Sequence, residues 1–303
     1  MRLISKKQQN KSLVRAGPPL AASVILETKR GSHEISSRIP VSASAKMEKA
    51  MPTATTTAIA AIDLGNFSTP GSSQLAARFT SRKLQGQTLI NRIARRLSEC
   101  QLVERVFVVG AGMPAKILTS GFSDVDCIDL PASHVCERLC EAADASNADW
   151  VVYVPANRPF IDPTLIDQML AKATRTVSCD YVGYRTGNGD PLALDKLGLT
   201  GEACHADTLR RLRRNVDRLV DQPVGSLAAW LMTAPGAYQL NFIPVPEKLD
   251  RRDLRFSIES EADWDDAVVL GETMQEADSQ WQELALLVLA NANLRDSMAR
   301  RNA

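Results

Sequence analysis

The chain has no Cys-x-x-Cys pair, only three histidines, no G-x-x-x-x-G-K-[ST] loop and no apolar run approaching the length of a membrane span. Each absence excludes something. Without paired cysteine or histidine ligands a zinc site is not expected, and without the phosphate loop a P-loop ATPase or kinase is disfavoured. A net charge of +1 supplies no long-range field for nucleic acid or an anionic membrane, so neither is expected as a partner. The six cysteines, at positions 100, 127, 136, 140, 179 and 204, are scattered in a chain without a secretory signal. They read as reduced thiols, and the expected location is cytoplasmic.

What is present begins with an asymmetry. Residues 1–50 carry ten Lys or Arg against three Glu, with no Trp, Tyr or Phe. Three readings compete for this segment: a disordered basic tail, an organellar targeting peptide, and upstream sequence translated from a start codon set too early. The absence of an Arg-rich amphipathic face weighs against targeting. We therefore expect residues 1–56 to be a disordered or mis-started basic tail, and 57–303 to form one domain ending in a C-terminal helix.

Within 57–303, buried-type strands alternate with amphipathic helices. IAAIDLG (59–65), VERVFVVG (103–110), DCIDL (126–130) and DWVVYVPA (149–156) read as strands. LINRIARRLSEC places Leu89, Ile93 and Leu97 on one helical face with arginines opposite. Helices are also expected over 133–146, with Ser133 as N-cap, over 162–174, with Asp162 as cap and Pro163 at the first position, and over 205–220. CDYVGYR, YQLNFIPVP and DLRFSIES are strand-like, VGSLAAWLM is an apolar block, and a long helix from Glu261 to Arg301 is expected to break once. This pattern implies an α/β fold: three layers, with helices on both faces of a mostly parallel sheet.

Ligands of such sheets sit beyond the carboxyl ends of the strands. GAGMPA (Gly110 to Ala115) matches a dinucleotide fingerprint with Asp129 at a ribose-like distance, but it follows the second strand and has Pro114 at the helix start, so a plain Gly-rich turn is favoured. Asp124-Val125-Asp126 is a D-x-D triplet whose position before a strand suits a solvated turn. The five arginines of HADTLRRLRRNVDR read as a solvated face, with an anion patch as the alternative.

Three stretches carry more information together. GSSQLAAR followed by GQTLINRIARRL, then ADWVVYVPANRPFIDPTLIDQML, then LRFSIESEADWDDAV resemble the cytidylyltransferase family that includes spore-coat polysaccharide proteins and CMP-sugar-acid synthetases. The wider group is the nucleotide-diphospho-sugar transferases, of GT-A-like fold. The resemblance runs from about Ala58 to Leu270. It matches the family's G-S-T-R-L-P-G-K loop to Gly71, Ser72, Ser73, Gln74, Leu75, Ala76, Ala77 and Arg78. It matches G-D-x-P-L-I-D to residues 156–162 and V-D-T-P-E-D-L to residues 258–264.

The resemblance implies transfer of a nucleoside monophosphate from an NTP, with CTP favoured, to a sugar or sugar acid for surface-polysaccharide synthesis. Gly71, Ser72, Ser73, Gln74 and Arg78 would face the phosphates, Arg78 acting in catalysis, and Asn157 and Glu259 would hold Mg²⁺. Small residues let backbone N–H groups approach phosphate, and a basic residue neutralises the leaving pyrophosphate. A homodimer is also implied, for which the VGSLAAWLM block could offer a surface if it is not core. Among the sequence's departures from the family pattern, Gln74 replaces Arg, Arg78 replaces Lys, Asn157 replaces Asp and Glu259 replaces Asp. These departures keep open a catalytically degenerate scaffold that binds nucleotide or protein, and GAGMPA keeps open an NAD-linked enzyme.

Overall fold

The computed structural model describes residues 56–66, 82–111, 113, 125–130, 134–192, 196–215, 226–234, 236–274 and 280–303, all within the unit Thr53–Ala303. The expected tail, apart from its last residue, lies outside them, as does the whole of Gly71 to Arg78.

In chain order the elements are β1 (Ala58–Asn66), β2 (Lys83–Leu84), β3 (Gln87–Thr88), α1 (Leu89–Ser98), β4 (Arg105–Ala111), β5 (Val125–Asp129) and α2 (Val135–Ser146). They continue with β6 (Trp150–Pro155), α3 (Pro163–Arg175), β7 (Tyr181–Arg185), β8 (Glu202–His205), α4 (Ala206–Arg213) and α5 (Leu227–Met232). The last are β9 (Leu240–Pro244), a 3-10 turn at Glu247–Leu249, α6 (Glu261–Thr273), α7 (Trp281–Ala290) and α8 (Ala292–Asn302).

Among the described residues, seven strands form one sheet in the order β5-β4-β1-β6-β8-β7-β9. β5, β4, β1 and β6 are mutually parallel, whereas β8 runs antiparallel to both β6 and β7. β9 returns parallel to β7. The sheet is thus mixed and mostly parallel.

Alternation along β1 explains the three layers, because successive side chains of a strand point to opposite faces. Ala58, Ala60, Ile62 and Leu64 face a core built from α1, α3 and the C-terminal helices. Ile59 and Ala61 face a second core under α2, α4 and α5. Leu89, Ile93 and Leu97 of α1 are fully buried, as their spacing requires, each contributing about 1.5–3 kcal/mol.

Several local expectations are corrected. The N-cap of α2 is His134, whose Nδ1 accepts from Cys136 N–H at 3.3 Å while Glu137 accepts from the His134 N–H at 2.6 Å, closing a capping box. Ser133 lies outside the described residues. β8 is a strand where none was expected; EACH is too short to show a period. Among the described residues the C-terminal region holds three helices: α6 ends by Met274, and Asn291 separates α7 from α8, its side chain accepting from Leu294 N–H at 3.1 Å. Residues 254–259 form no strand, since the groups they pair with lie on loops. Asp162 and Pro163 do start α3 as expected.

Candidate active site

The loop leaving β6 at the carboxyl edge of the parallel strands is held from three sides. Ala156 N–H donates to the Asp63 carbonyl of β1 at 3.1 Å, and Asp162 N–H to the Leu199 carbonyl at 2.9 Å. From α1, Arg92 Nε donates to the Pro159 carbonyl at 3.1 Å and Arg96 Nε to the Ile161 carbonyl at 3.2 Å. Both arginines are buried. Arg92 also reaches Gln85 Oε1 at 2.8 Å and lies over the Phe160 ring, 5.3 Å from its centroid. Arg158 is buried and donates to the Thr200 carbonyl.

Across this loop runs the segment 254–260. Ile258 N–H donates to the Asn157 carbonyl at 2.8 Å, which brings the two sequence-predicted positions Asn157 and Glu259 onto adjoining backbone. Phe256 N–H donates to Leu197 O at 3.1 Å, and Ser257 N–H and Oγ donate to Lys196 O at 3.2 and 2.9 Å. The approach is close enough to require glycine at 198: a Cβ there would lie 2.4 Å from Ser257 N, and its φ is +70°.

The electrostatics follow from that packing. Asn157 Oδ1 is a buried acceptor with no hydrogen-bond partner among the described residues. Glu259 receives Lys196 Nζ on Oε1 at 2.7 Å and Arg255 Nη2 on Oε2 at 3.4 Å. Arg255 is anchored more firmly to Asp263, at 2.6 and 3.1 Å. Asp263 also accepts from the Glu259 N–H at 3.0 Å and the Ser260 N–H at 2.9 Å, so one carboxylate both caps α6 and fixes the Glu259 backbone. Burial alone pushes the Asp263 carboxyl up. The bonds from Arg255, Glu259 N–H and Ser260 outweigh it and hold the group well below the usual carboxylate range. Lys196 and Arg255 border a cleft of about 570 Å³ together with Thr186, Asn188, Asp190 and Arg252.

Comparison with known proteins decides the family. Residues 80–236, just over half the chain, match the MobA-like NTP transferase domain. The chain belongs to that family. Over 131 residues it is also 24% identical to the spore coat polysaccharide biosynthesis protein SpsF of Bacillus subtilis (strain 168), which is 43% of this chain and 50% of SpsF. The chain therefore spans about half the length of that curated relative.

Among solved structures, a cytidylyltransferase from Leptospira borgpetersenii superposes with a TM-score of 0.64 at 14% identity, over 79% of this chain and 96% of that one. The 4-diphosphocytidyl-2C-methyl-D-erythritol synthase of Anaerococcus prevotii gives 0.51 at 11% identity, over 71% and 95%. A CMP:2-keto-3-deoxy-manno-octonic acid synthetase complexed with CTP gives 0.50 at 13% identity, over 72% and 100%. At these identities the likeness is one of fold.

Asn157 falls inside the matched span of this transferase domain; the 71–78 loop and Glu259 fall outside it. Among the described residues no group of three or more His, Cys, Asp or Glu is arranged to hold a metal. Asn157 and Glu259 nonetheless offer two hard oxygen donors on adjoining backbone, one of them buried and without a donor of its own, which suits Mg²⁺ completed by phosphate oxygens.

The other sequence candidates have structural employment in the transferase domain. Asp126 pairs with Arg105 at the sheet edge, and Asp124 lies outside the described residues. Of GAGMPA, Gly112, Pro114 and Ala115 lie outside them; Asp129 Oδ1, at the end of β5, accepts from Met113 N–H, just past β4, at 3.1 Å. The arginines of α4 are spent on acids: Arg210 on Asp144 and Asp207, Arg211 on Asp180, Arg213 on Asp144. In α5, Leu227, Ala228, Trp230 and Leu231 are buried, so the described part of this block is mostly core, with Met232 left exposed at its end.

Sequence reasoning missed a buried pair at the end of β1. Arg138 of α2 grips Asp63 from Nε at 2.9 Å and Nη2 at 3.1 Å. Burial pushes the Asp63 carboxyl up and the guanidinium offsets part of that. His134 beside them is pushed down by burial and then by Arg138. An acid closing a strand of small apolar residues was the available signal. Glu202, also missed, is fully buried and accepts from Tyr181 OH at 3.0 Å, Leu227 N–H at 3.2 Å and Ala228 N–H at 2.8 Å, which fixes the start of α5.

Proposed function

We propose that the domain is a nucleotidyltransferase that moves a nucleoside monophosphate from an NTP, with CTP favoured, to a hydroxyl of a sugar or sugar acid, in surface-polysaccharide biosynthesis. The acceptor hydroxyl gives up its proton to solvent and its oxygen forms a bond to the α-phosphorus, while the bond from the α-phosphorus to the α,β-bridging oxygen breaks and pyrophosphate leaves with that electron pair. The observation that carries this reading is the Ile258 N–H···O=C Asn157 bond, which joins the loop after β6 to the segment bearing Glu259. Membership of the NTP transferase family supports the reaction class. The CTP complex among the fold neighbours and the polysaccharide role in the name of SpsF support the choice of base and pathway.

In this reading Gly71, Ser72, Ser73 and Gln74 present backbone and side-chain donors to the phosphates, and Arg78 neutralises the departing pyrophosphate. Asn157 and Glu259 hold Mg²⁺ through oxygen. The ion, when bound, screens the phosphate charge against the incoming hydroxyl. The protein's own work is positioning: the Arg92 and Arg96 bonds fix the Asn157 loop, and Asp263 fixes the Glu259 backbone. A cytoplasmic homodimer belongs to the same reading. No helix of the described residues is long and apolar enough to cross a membrane.

A second reading, a scaffold that keeps nucleotide or protein binding without turnover, is favoured by the neutral amide of Asn157 where the resembling family has a carboxylate. The two separate by titration of the purified full chain with CTP, UTP, GTP and ATP, with and without Mg²⁺. The transferase reading expects Mg²⁺-dependent binding selective for one triphosphate and weakened in Glu259→Ala. Binding indifferent to Mg²⁺ supports the scaffold. No nucleotide binding at all refutes both nucleotide-based forms.

A further inference from the structure

The Glu259 carboxylate faces a cation that no metal-site reading assigns a part. Lys196 comes from the loop before β8, 63 residues away in sequence, and its Nζ sits 2.7 Å from Glu259 Oε1. Its backbone is tied to the same segment, because the Lys196 carbonyl accepts from both Ser257 N–H and Ser257 Oγ. The root of the side chain is thus fixed beside Glu259, whereas the side chain as a whole is 44% exposed and carries its ammonium on a flexible four-carbon stem. Arg255, the second cation on Glu259, differs. It is 7% exposed and locked between Asp263 and the Asn302 side chain, so it stays in place. Lys196 is the cation that can leave.

The charge balance makes its leaving consequential. Asn157 contributes an oxygen and no charge. Glu259 contributes one negative charge, and Lys196 cancels it. A divalent ion approaching the pair in the absence of nucleotide meets no net negative charge and must displace an ammonium. A triphosphate changes both terms: its oxygens give the ammonium a stronger anion to pair with, and they complete the shell of the metal.

We propose that Lys196 is an exchangeable counter-ion of Glu259: it holds the carboxylate closed to divalent cations in the nucleotide-free enzyme and transfers to the phosphates when a triphosphate enters, so that metal and nucleotide bind together. The inference rests on the transferase reading above and adds a residue and an order of events to it. No covalent step is involved. An ion pair opens, and two new ones form.

The test uses the full chain and two probes. In the first arm, Mn²⁺ binding to nucleotide-free protein is followed by electron paramagnetic resonance. Lys196→Met tightens Mn²⁺ binding roughly fivefold, the upper end of what a half-exposed ion pair is worth, and Glu259→Gln in the Lys196→Met background removes the gain. Unchanged Mn²⁺ affinity in Lys196→Met, or a gain that survives Glu259→Gln, overturns the proposal. In the second arm, CTP is titrated in EDTA. Glu259→Gln frees the ammonium and strengthens metal-free binding several-fold, and Lys196→Met added to it abolishes the increase. An increase that persists without Lys196 overturns the transfer, because repulsion by Glu259 alone then accounts for it. Lys196→Arg keeps both the pairing and the transfer and serves as the conservative control. Loss of nucleotide binding in every variant and in the parent refutes the transferase reading itself. Normal nucleotide binding with a silent Lys196→Met refutes only the exchange.

Discussion

Asp263→Asn tests the framework under the site, since nearly every group around Glu259 converges on this one carboxylate. Its Oδ1 accepts from Arg255 Nε at 2.6 Å and Arg301 Nε at 2.9 Å; its Oδ2 accepts from Arg255 Nη2, Glu259 N–H, Ser260 N–H and Ser260 Oγ. The side chain is 2% exposed. Asparagine keeps the shape but removes the charge and turns one acceptor into a donor facing donors. Breaking a buried pair from one side costs about 3–5 kcal/mol, of which the capping share is about 1 kcal/mol, the cost expected for Ser260→Ala alone. For a domain of this size 1 kcal/mol moves the melting temperature by about 2–4 °C, so a fall of roughly 6–20 °C is expected. Urea unfolding followed by tryptophan fluorescence measures the free energy directly. The pH dependence supplies a second signature. The Asp263 carboxyl is held well below its ordinary value in the folded chain, so its stabilisation is complete above the unfolded pKa of about 3.9 and is lost as pH falls toward the folded value. Asp263→Asn therefore flattens the acid limb of the stability curve. A loss under about 1 kcal/mol, or an acid limb identical to the parent's, refutes the claim that this carboxylate organises the segment.

Two further substitutions probe the same frame. Arg92→Met preserves the apolar stem but leaves the Pro159 carbonyl and Gln85 without their donor; a loss of about 2–4 kcal/mol in chemical unfolding is expected, and a neutral result would mean the loop after β6 is not held by α1. Gly198→Ala combines strain at positive φ, about 1–2 kcal/mol, with a Cβ 2.4 Å from Ser257 N, so it should cost clearly more than Gly236→Ala, where φ is +82° and nothing lies within 4 Å. Calorimetry of the two variants side by side checks this, and equal losses would show that the close approach of residues 198 and 257 contributes nothing.

Much of the parallel half of the sheet was legible because its signals are local. Ala58–Asn66, Arg105–Ala111 and Trp150–Pro155 are short apolar runs ended by turn residues, and α3 announces itself with Asp162-Pro163. The failures share a cause. Arg92 and Arg96 were read as the outer face of an amphipathic helix, yet both are buried, since their partners are carbonyls 67 and 65 residues further on. The residues of DLRFSIES have strand-like composition, but the groups that meet Phe256, Ser257 and Ile258 belong to loops, so no ladder forms. The second break in the C-terminal helix rests on Asn291 serving as a cap, and an asparagine within an apolar run gives that signal only faintly.

The site candidates divide along the same line. Asn157 and Glu259 could be singled out by position in a motif, but their mutual support could not, because it consists of one backbone bond between segments about a hundred residues apart. That bond has a consequence for the departures from the family pattern. A metal-binding pair built on two independently placed loops would lose its geometry when one carboxylate became an amide. Here the backbone bond joins Asn157 to the Glu259 segment whatever their side chains carry, so in the proposed site an amide in place of the family's carboxylate at 157 would change the charge and leave the backbone arrangement. On that reading the deficit is electrostatic, and the exchange proposed for Lys196 sets a cation of the neighbouring loop against that charge.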